Sequence, residues 1–417
     1  MKIFGADKEF IIVNKKENLK VLYSSYSNNV LALNDKAIEI FKNILNIAQK
    51  NNGNIEEIYK KYEKNEISSF INQLSDCRIL FKSKVDMENS DFNFIFQKKK
   101  KINIHKAYLH LTQRCNLKCR YCYNADNIGK TQDLNSEEWK KILFNLREKG
   151  FDYIIFTGGE VLLRKDLLEL SKYTKQLDFK LNILTNGTFE LTRELIETVD
   201  FIEISLDSME NNINDINRVN SSKYNIIGNL YRISPDLRNK IIIKTVLSKE
   251  NYKSITFMRD ELEKIGYKRM EIIPQQPTNP NEIDIYPDFV ISRKPHKFDF
   301  GKVTKCNACY EIIAINANGD IYPCQALIKK KMLLTNIFKI NWFEEINNHM
   351  LTEFFFNNDI NNSECKKCAY KYLCGGPCKA VSYNLTGSLL EGRGEYCKHA
   401  KKECHEYLRS IQFGGES

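Results

Sequence analysis

Short apolar runs alternate with amphipathic segments over residues 104–273. The apolar runs are Ala107–Leu111, Tyr153–Phe156, Leu181–Leu184, Phe201–Ile204, Ile241–Val246 and Met270–Ile273. The amphipathic segments between them are Ser136–Lys149, Lys165–Gln176, Thr192–Val199, Ser222–Ile233 and Ser254–Ile265. Strand-then-helix repetition indicates a parallel sheet, so the pattern predicts an α/β protein with a partial, TIM-like (β/α)6 barrel over residues 104–273. Parallel barrels carry their active sites at the carboxyl ends of the strands.

The first 84 residues follow a different pattern and predict a small separate unit. Strands are expected at Phe10–Val13, Lys20–Tyr23, Val30–Leu33 and Arg78–Lys82. Helices are expected from Asp35, after the capping residue Asn34, then after Asn54, and over Ile67–Leu74. Cys77 falls on the apolar face of the last helix, where we expect it in the core. The first three strands and the three helices match a winged-helix pattern.

Three further segments complete the predicted organisation. Residues 85–103 are polar and lysine-rich, which is typical of a linker. Residues 274–305 lack periodicity and are interpreted as a connecting segment. Residues 306–417 contain nine of the thirteen cysteines and are predicted to form a domain of their own. A chain of 417 residues is long enough for two or three such domains.

Composition and charge narrow the classes of partner. No run approaches the roughly 20 apolar residues that cross a bilayer, and the N-terminus lacks the charged-then-apolar order of a signal peptide. We therefore expect a cytoplasmic protein with no membrane partner. The net charge is +10, but no basic stripe with interleaved aromatic residues accompanies it, so nucleic acid is not expected as a partner.

The cysteines carry the candidate chemistry. Thirteen is an odd number for a disulfide framework, and a reducing compartment favours metal ligation. Cys115, Cys119 and Cys122 follow the first barrel strand, with three and then two residues between them. A [4Fe–4S] cluster held by three cysteines keeps one iron free for a non-protein ligand, whereas structural cysteine sites usually close every position. The spacing therefore predicts a reactive cluster.

This loop resembles that of the radical S-adenosylmethionine (SAM) enzymes, in which a 5′-deoxyadenosyl radical abstracts hydrogen from the substrate. The resemblance implies a set of SAM-binding residues at the strand ends: Tyr121, Gly158, Gly159, Glu160, Asn186, Ser205, Asp207 and Arg218. Tyr121 would lie near adenine, and the glycine turn would bind the methionine amino group. The end of the fourth strand would hold the ribose, and Arg218 would meet the carboxylate. Zinc is the alternative for the cysteines, but it would require a fourth protein ligand.

The C-terminal cysteines resemble the SPASM domain, which carries two auxiliary [4Fe–4S] clusters. The resemblance, rather than the spacing, implies Cys309, Cys324 and Cys378 as ligands of the first auxiliary cluster. It implies Cys365, Cys368, Cys374 and Cys397 as ligands of the second. Cys306 is ambiguous: if it binds, the first auxiliary cluster is closed, and if it does not, one iron is open. Two structural zinc sites are the alternative, and Cys404 has no expected role.

The N-terminal unit resembles the winged-helix module that recognises leader peptides of ribosomally made, modified peptides. The resemblance implies that a leader adds as a strand along Val30–Leu33, in a groove shared with the helix over Ile67–Leu74. A DNA-binding winged helix, or a unit that only packs against the barrel, are the alternatives.

Together these features predict a radical SAM maturase that acts on a precursor peptide and receives electrons from a flavodoxin or ferredoxin. The expected product is a thioether between a cysteine sulfur and a peptide carbon. A carbon–carbon crosslink, and oxidation of a protein Cys or Ser as in anaerobic sulfatase maturation, are the alternative reactions. A zinc-bearing regulator is the non-enzymatic alternative. No residue is assigned as a catalytic acid or base, because radical abstraction depends on position more than on proton transfer.

Overall fold

The structure is a computed structural model that describes residues 10–16, 19–24, 30–77, 79–82, 102–278, 306–357, 364–391 and 394–410. Its strands are β1 (Phe10–Lys16), β2 (Leu19–Ser24), β3 (Val30–Leu33), β4 (Lys106–Thr112), β5 (Lys118–Cys119), β6 (Tyr153–Gly158), β7 (Lys180–Thr185), β8 (Phe201–Ser205), β9 (Arg218–Val219), β10 (Ile241–Leu247), β11 (Met270–Pro274), β12 (Ile312–Ile315), β13 (Asp320–Tyr322) and β14 (Thr335–Asn336). Its α-helices are α1 (Asp35–Lys50), α2 (Lys64–Asp76), α3 (Ser136–Glu148), α4 (Leu167–Gln176), α5 (Arg193–Thr198), α6 (Asn211–Asn217), α7 (Ile226–Arg232), α8 (Ile255–Lys264), α9 (Trp342–Asn347), α10 (Met350–Asn357), α11 (Lys371–Cys374), α12 (Lys379–Thr386) and α13 (Gly394–Ser410). The predicted linker and connecting segment lie almost entirely outside the described residues.

The N-terminal unit packs an antiparallel meander, in the order β1–β2–β3, against α1 and α2. Asn34 caps α1 as predicted, because its side chain accepts a hydrogen bond of 2.8 Å from the Ala37 amide. The apolar faces of both helices meet the sheet in one core, to which Leu22, Phe41 and Ile71 contribute. Since β3 is the last strand of this sheet in the described chain, its outer edge is not paired there.

Three details of the N-terminal prediction were wrong. The segment after Asn54 is a short 3-10 helix, Glu56–Lys60, rather than an α-helix. Residues 79–82 form bends and a single bridge residue instead of a strand, and Arg78 lies outside the described residues. The amides of Ile79 and Leu80 both donate to the Leu74 carbonyl, at 2.8 and 3.2 Å, so this segment closes the end of α2. That closure leaves Cys77 exposed rather than in the core.

The predicted barrel is confirmed. Its strands lie in one sheet in the order β11–β10–β8–β7–β6–β4, and all neighbouring pairs are parallel. Ala107, Leu109 and Leu111 of β4 belong to the main core, together with apolar residues of the surrounding helices. Because side chains alternate along a strand, Tyr108 and His110 point to the opposite face, which is the inside of the barrel.

The sheet continues into the C-terminal region, which the sequence did not predict. β12 pairs in parallel with β4, and β13 and β14 add antiparallel strands, giving nine strands in the described sheet. Buried Gln113, after β4, donates to Asn316, which follows β12. The loop that follows the first barrel strand is therefore tied to the C-terminal region.

The second face of the N-terminal sheet packs on α13. Ile11 and Tyr23 share an apolar cluster with Cys404 and Leu408 of that helix, and Cys374 packs against its edge. The same helix carries Cys397, so it joins the N-terminal unit to the C-terminal cysteines. In the part of the chain described here, no helix combines the length and apolar character needed to cross a membrane.

Candidate active site

The cysteine loop begins where β4 ends, at the carboxyl edge of the barrel. Cys115, Cys119 and Cys122 are half-buried, and burial raises the pKa of each thiol, that of Cys122 to about 11. The nearby Cys119 and Cys115 also raise the pKa of Cys122, so the three sulfur atoms lie in one neighbourhood. Cys119 belongs to β5, whose two residues pair with β9.

The glycine turn after β6 packs directly on this loop. The Gly159 amide donates to the Thr112 carbonyl and the Glu160 amide to the Arg114 carbonyl, both at 2.8 Å. A Cβ on Gly158 would lie 2.3 Å from the Thr112 oxygen, and one on Gly159 would lie 2.1 Å from the Arg114 oxygen. Any larger residue would therefore displace the backbone that leads into Cys115.

Glu160 and Asn186 link the next two strand ends to the loop. Glu160 is buried, and its carboxylate accepts hydrogen bonds of 2.7 Å from the Thr185 hydroxyl and the Asn186 amide. Burial raises the pKa of Glu160, and these hydrogen bonds oppose that shift. The Asn186 side chain donates to Asn116 at 2.9 Å, within the cysteine loop. These hydrogen bonds hold the ends of β6 and β7 against the cysteine loop.

Asp207 is the centre of a buried network on the other side of the site. Its carboxylate accepts from the Tyr121 hydroxyl and from the Val246 amide, the latter at 2.9 Å. Arg218 Nε lies 3.1 Å from the same carboxylate, and its guanidinium lies 5.5 Å from the centre of the Tyr121 ring. Ser205 is half-buried and is the last residue of β8. Seven of the eight sequence-predicted SAM-binding residues thus lie in or beside the cysteine loop, and Ser205 lies at the end of β8, two residues before Asp207.

The C-terminal cysteines separate into two groups. Burial raises the pKa of Cys306 to about 11 and that of Cys309 to about 12, and it also raises the pKa of Cys324. The charges of Cys306, Cys378 and Cys309 all act on Cys324, so these four form the first group. Cys365, Cys374 and Cys368 act on Cys397, whose pKa burial raises to about 11, and these form the second. Gly375 and Gly376, with φ of 70° and 76°, turn the chain between Cys374 and Cys378.

The donor sets suit iron–sulfur clusters. The cysteine loop presents three sulfur atoms, and each of the two C-terminal groups presents four. Cysteine sulfur is the ligand that holds [4Fe–4S] clusters. Within the described residues, no three His, Cys, Asp or Glu side chains converge tightly enough to hold a single metal ion. Burial lowers the pKa of Lys379, and the charges of Cys306, Cys365 and Cys378 oppose that shift.

Sequence reasoning missed the residues that join the two cysteine regions. Tyr123 is placed between Cys122 and Cys324, both of which raise its pKa in addition to burial. Its hydroxyl donates to Gln325 at 3.2 Å, and its ring meets His110 edge-on. The position of Tyr123, an aromatic residue directly after Cys122, was the signal in the sequence that could have indicated this role.

Two family models match the chain. The Radical SAM superfamily model matches residues 109–258, and the SPASM model, an iron–sulfur cluster-binding domain, matches residues 306–369.

Named proteins of other organisms are similar to this chain in sequence. An S-adenosylmethionine-dependent nucleotide dehydratase of Selenomonas ruminantium is 31% identical over 182 residues, covering 40% of this chain and 66% of the relative. The antilisterial bacteriocin subtilosin biosynthesis protein AlbA of Bacillus subtilis is 25% identical over 331 residues, covering 71% of each chain.

Solved structures share the fold. Streptococcus suis SuiB bound to the precursor peptide SuiA superposes with a TM-score of 0.55 at 16% identity, covering 94% of this chain and 99% of SuiB. The AdoMet-bound enzyme anSMEcpe superposes with a TM-score of 0.56 at 18% identity, covering 72% of this chain and 96% of that enzyme.

Proposed function

The chain is a radical SAM enzyme with a SPASM domain that uses SAM and [4Fe–4S] clusters, and on this basis we propose that it installs an oxidative crosslink in a ribosomally synthesised precursor peptide. The observation that carries this proposal is the share of the chain that each solved structure covers. SuiB, crystallised with a precursor peptide, matches 94% of this chain, whereas anSMEcpe matches 72%. The AlbA relative, a bacteriocin biosynthesis protein, favours a peptide substrate as well.

Cys115, Cys119 and Cys122 would hold the catalytic cluster. With SAM bound, the cluster held there would supply the radical chemistry that removes a hydrogen atom from a carbon of the peptide. The Gly158–Glu160 turn keeps the loop and the end of β6 in contact, so it positions the cysteines as well as any ligand above them. Asp207 and Arg218 form the opposite wall. We assign Tyr121, Glu160, Asn186 and Ser205 to SAM binding around this space.

The two C-terminal groups would hold auxiliary clusters that accept an electron during crosslinking. We assign Cys306, Cys309, Cys324 and Cys378 to the first, because the charges of the other three cysteines all act on Cys324. This closes the first auxiliary cluster with protein ligands. We assign Cys365, Cys368, Cys374 and Cys397 to the second. A flavodoxin or ferredoxin would supply electrons to the catalytic cluster.

The leader peptide would bind along β3. The outer edge of this strand is not paired within the described chain, and an extended peptide adds to such an edge through main-chain hydrogen bonds. Docking there would raise the effective concentration of the core peptide at the barrel mouth. The sheet that contains β3 packs on α13, and the same helix carries Cys397 of the second cysteine group.

We propose a thioether as the product, with a carbon–carbon crosslink as the second candidate. The test is anaerobic reaction of the reconstituted enzyme with a candidate precursor peptide, followed by mass spectrometry. A crosslink removes a pair of hydrogens from the peptide, and a thioether also removes one thiol that iodoacetamide would otherwise label. The triple variant Cys115→Ala, Cys119→Ala, Cys122→Ala should form neither the product nor 5′-deoxyadenosine. Turnover in that variant would refute the catalytic assignment.

A further inference from the structure

Three charged side chains from neighbouring strands meet on the inner face of the barrel. Lys244 of β10 lies 3.5 Å from the Glu203 carboxylate of β8, and it also pairs with Glu271 of β11, the residue opposite it in the sheet. Ile202 and Ile204, on either side of Glu203, belong to the main core on the outer face of the sheet. Because side chains alternate along a strand, Glu203 and its two partners point into the barrel.

The inner face of the barrel is accessible to solvent beside these groups. The Lys244 side chain is 25% exposed and that of Glu271 is 52% exposed. Ile273, which shares the inner face of β11 with Glu271, is an apolar residue with 37% of its surface exposed. The outward residues Ile204 and Ile243 of the adjoining strands are buried. Helices therefore cover the outer face of the sheet, whereas a ligand can reach the inner face here.

The charged cluster lies next to the residues assigned to SAM binding. Lys244 is opposite Ser205 in the pairing of β8 with β10, and Glu203 precedes Ser205 by two residues on the same face. Two residues beyond Lys244, the Val246 amide donates to Asp207 at 2.9 Å. A peptide side chain bound at Glu203 and Glu271 would therefore bring its own backbone close to SAM.

The groups that line this part of the barrel lack hydrogen-bond donors. Two carboxylates share one ammonium group. On the neighbouring strand β7, Asn182 faces the interior and is 4% exposed; its side chain donates to the Tyr153 hydroxyl at 2.7 Å, but its Oδ1 accepts no hydrogen bond from the described residues. Lys106 lies at the amino end of the barrel, with its ammonium group 4.2 Å from the centre of the Tyr153 ring. Since buried acceptors without donors are costly, a ligand with N–H donors and positive charge fits this site.

We propose that Glu203 and Glu271 form a specificity site that binds a cationic side chain, lysine or arginine, of the core peptide. This inference rests on the proposed function, because it names the part of a peptide substrate that the barrel interior selects. Without peptide, Lys244 holds the two carboxylates close together, and the peptide cation then gives each carboxylate a positive partner. Hydrogen bonds between charged groups are stronger than neutral ones, and a neutral residue in that place would leave a carboxylate unpaired.

The first part of the test changes the peptide. The candidate precursor peptide is compared with versions in which each core lysine or arginine in turn is replaced by norleucine, which keeps an unbranched chain without the charge. With the full-length, anaerobically reconstituted enzyme, one of these replacements should lower kcat/KM for crosslinking by at least about tenfold, the effect of one hydrogen bond between charged groups. Exchanging lysine and arginine at that position distinguishes the two cations.

The second part changes the enzyme through Glu203→Gln and Glu271→Gln, because glutamine keeps the shape and removes the charge. Each variant should lower kcat/KM for the wild-type peptide about tenfold and change it little for the norleucine peptide, in which the carboxylate has no cation to bind. Glu169→Gln is the matched control: Glu169 is 55% exposed and lies 2.6 Å from Lys140, on helices outside the barrel. It should affect neither peptide.

Each outcome decides the question. Equal losses with the wild-type and norleucine peptides would show that the carboxylates only support the fold, and they would overturn the inference while the crosslink leaves the proposed function standing. So would a crosslinking rate that no norleucine replacement lowers. If Glu203→Gln fails to retain iron, the half-exposed Glu271 decides the result alone. If wild-type enzyme cleaves SAM but crosslinks none of the peptides, the proposed function is refuted, and the inference with it.

Discussion

Arg218 lies directly opposite Cys119 in the two-residue ribbon formed by β5 and β9. Its guanidinium also lies 3.1 Å from the Asp207 carboxylate, and both side chains are buried. Burial raises the pKa of the Cys119 thiol, and the charge and hydrogen bonding of Arg218 lower it. One cation therefore joins the cysteine loop to the end of β8.

The first prediction concerns this buried ion pair. Arg218→Met leaves Asp207 without its cation, and removing one partner of a buried pair costs about 3 kcal/mol of unfolding free energy. The double variant with Asp207→Asn should recover part of that loss, because no uncompensated charge remains. Urea unfolding of the anaerobic protein measures both. Equal destabilisation in the single and double variants would contradict the pairing.

The second prediction concerns the close approach at Gly159. A Cβ there would lie 2.1 Å from the Arg114 carbonyl oxygen and 3.1 Å from Cys115 Cβ. Gly159→Ala should destabilise the fold by about 3 kcal/mol through overpacking and should lower the iron bound at the catalytic site. Gly129→Ala is the control: its φ is +72° but no atom lies within 4 Å of the added Cβ, so only about 1 kcal/mol of backbone strain is expected. Similar losses in both variants would exclude a specific role for the contact.

The sequence predicted elements whose hydrophobic pattern is long enough to be distinctive. Every barrel strand appeared as a predominantly apolar run, which is typical of the strands of a parallel sheet. The ribbon of β5 and β9 has two residues a strand and no periodicity, so the position of Arg218 opposite Cys119 was not predictable. The sequence of the short strand β12 does not indicate which strand it pairs with, because its pairing with β4 follows from tertiary packing. For the same reason the spacing of the C-terminal cysteines could not assign Cys306, and its assignment to the first auxiliary cluster stays a proposal.

The third prediction tests Cys306 as a ligand. Reconstituted wild-type enzyme should bind about twelve irons, and Cys306→Ala should bind about eight if the first auxiliary cluster needs all of its protein ligands. Cys404→Ala is the matched control, because Cys404 is buried in the apolar cluster between α13 and the N-terminal sheet. Iron analysis and Mössbauer spectroscopy give the result. Full iron content in Cys306→Ala would indicate an open iron at this site.

The fourth prediction tests leader docking on β3. Deleting the whole N-terminal unit is a poor test, because it would uncover the apolar face that Ile11 and Tyr23 shield on α13. Successive amides of a strand point to opposite sides. One of the variants Leu31→Pro and Ala32→Pro therefore removes an amide that faces β2, and the other removes an amide on the outer edge of β3.

Of these two variants, the one that keeps the wild-type unfolding temperature should bind a fluorescent leader peptide about tenfold more weakly, the effect of roughly one lost hydrogen bond. SAM cleavage without peptide should be unchanged in it. Wild-type leader affinity in both variants would rule out strand addition at β3.

The last prediction concerns pH and the interior of the barrel. His110 is fully buried, and burial lowers its pKa from 6.5 to about 3. Neither ring nitrogen has a hydrogen-bond partner among the described residues. Between pH 6.5 and 3 the unfolded chain binds a proton at this residue that the folded protein does not, so the free energy of unfolding falls as the pH is lowered. The slope is about 1.4 kcal/mol per pH unit.

His110→Phe should remove this contribution. The substitution keeps an aromatic ring of similar size beside Tyr123 and deletes two buried nitrogens without partners, so stability at pH 7.5 should equal or exceed that of wild type. Denaturant unfolding under anoxic conditions at pH 7.5, 6.5 and 5.5 measures both effects. Between pH 6.5 and 5.5 the variant should lose about 1 kcal/mol less than wild type. If the two proteins instead lost stability in parallel, the His110 ring would be exchanging protons in the folded state, and a water or substrate group inside the barrel would have to bind it.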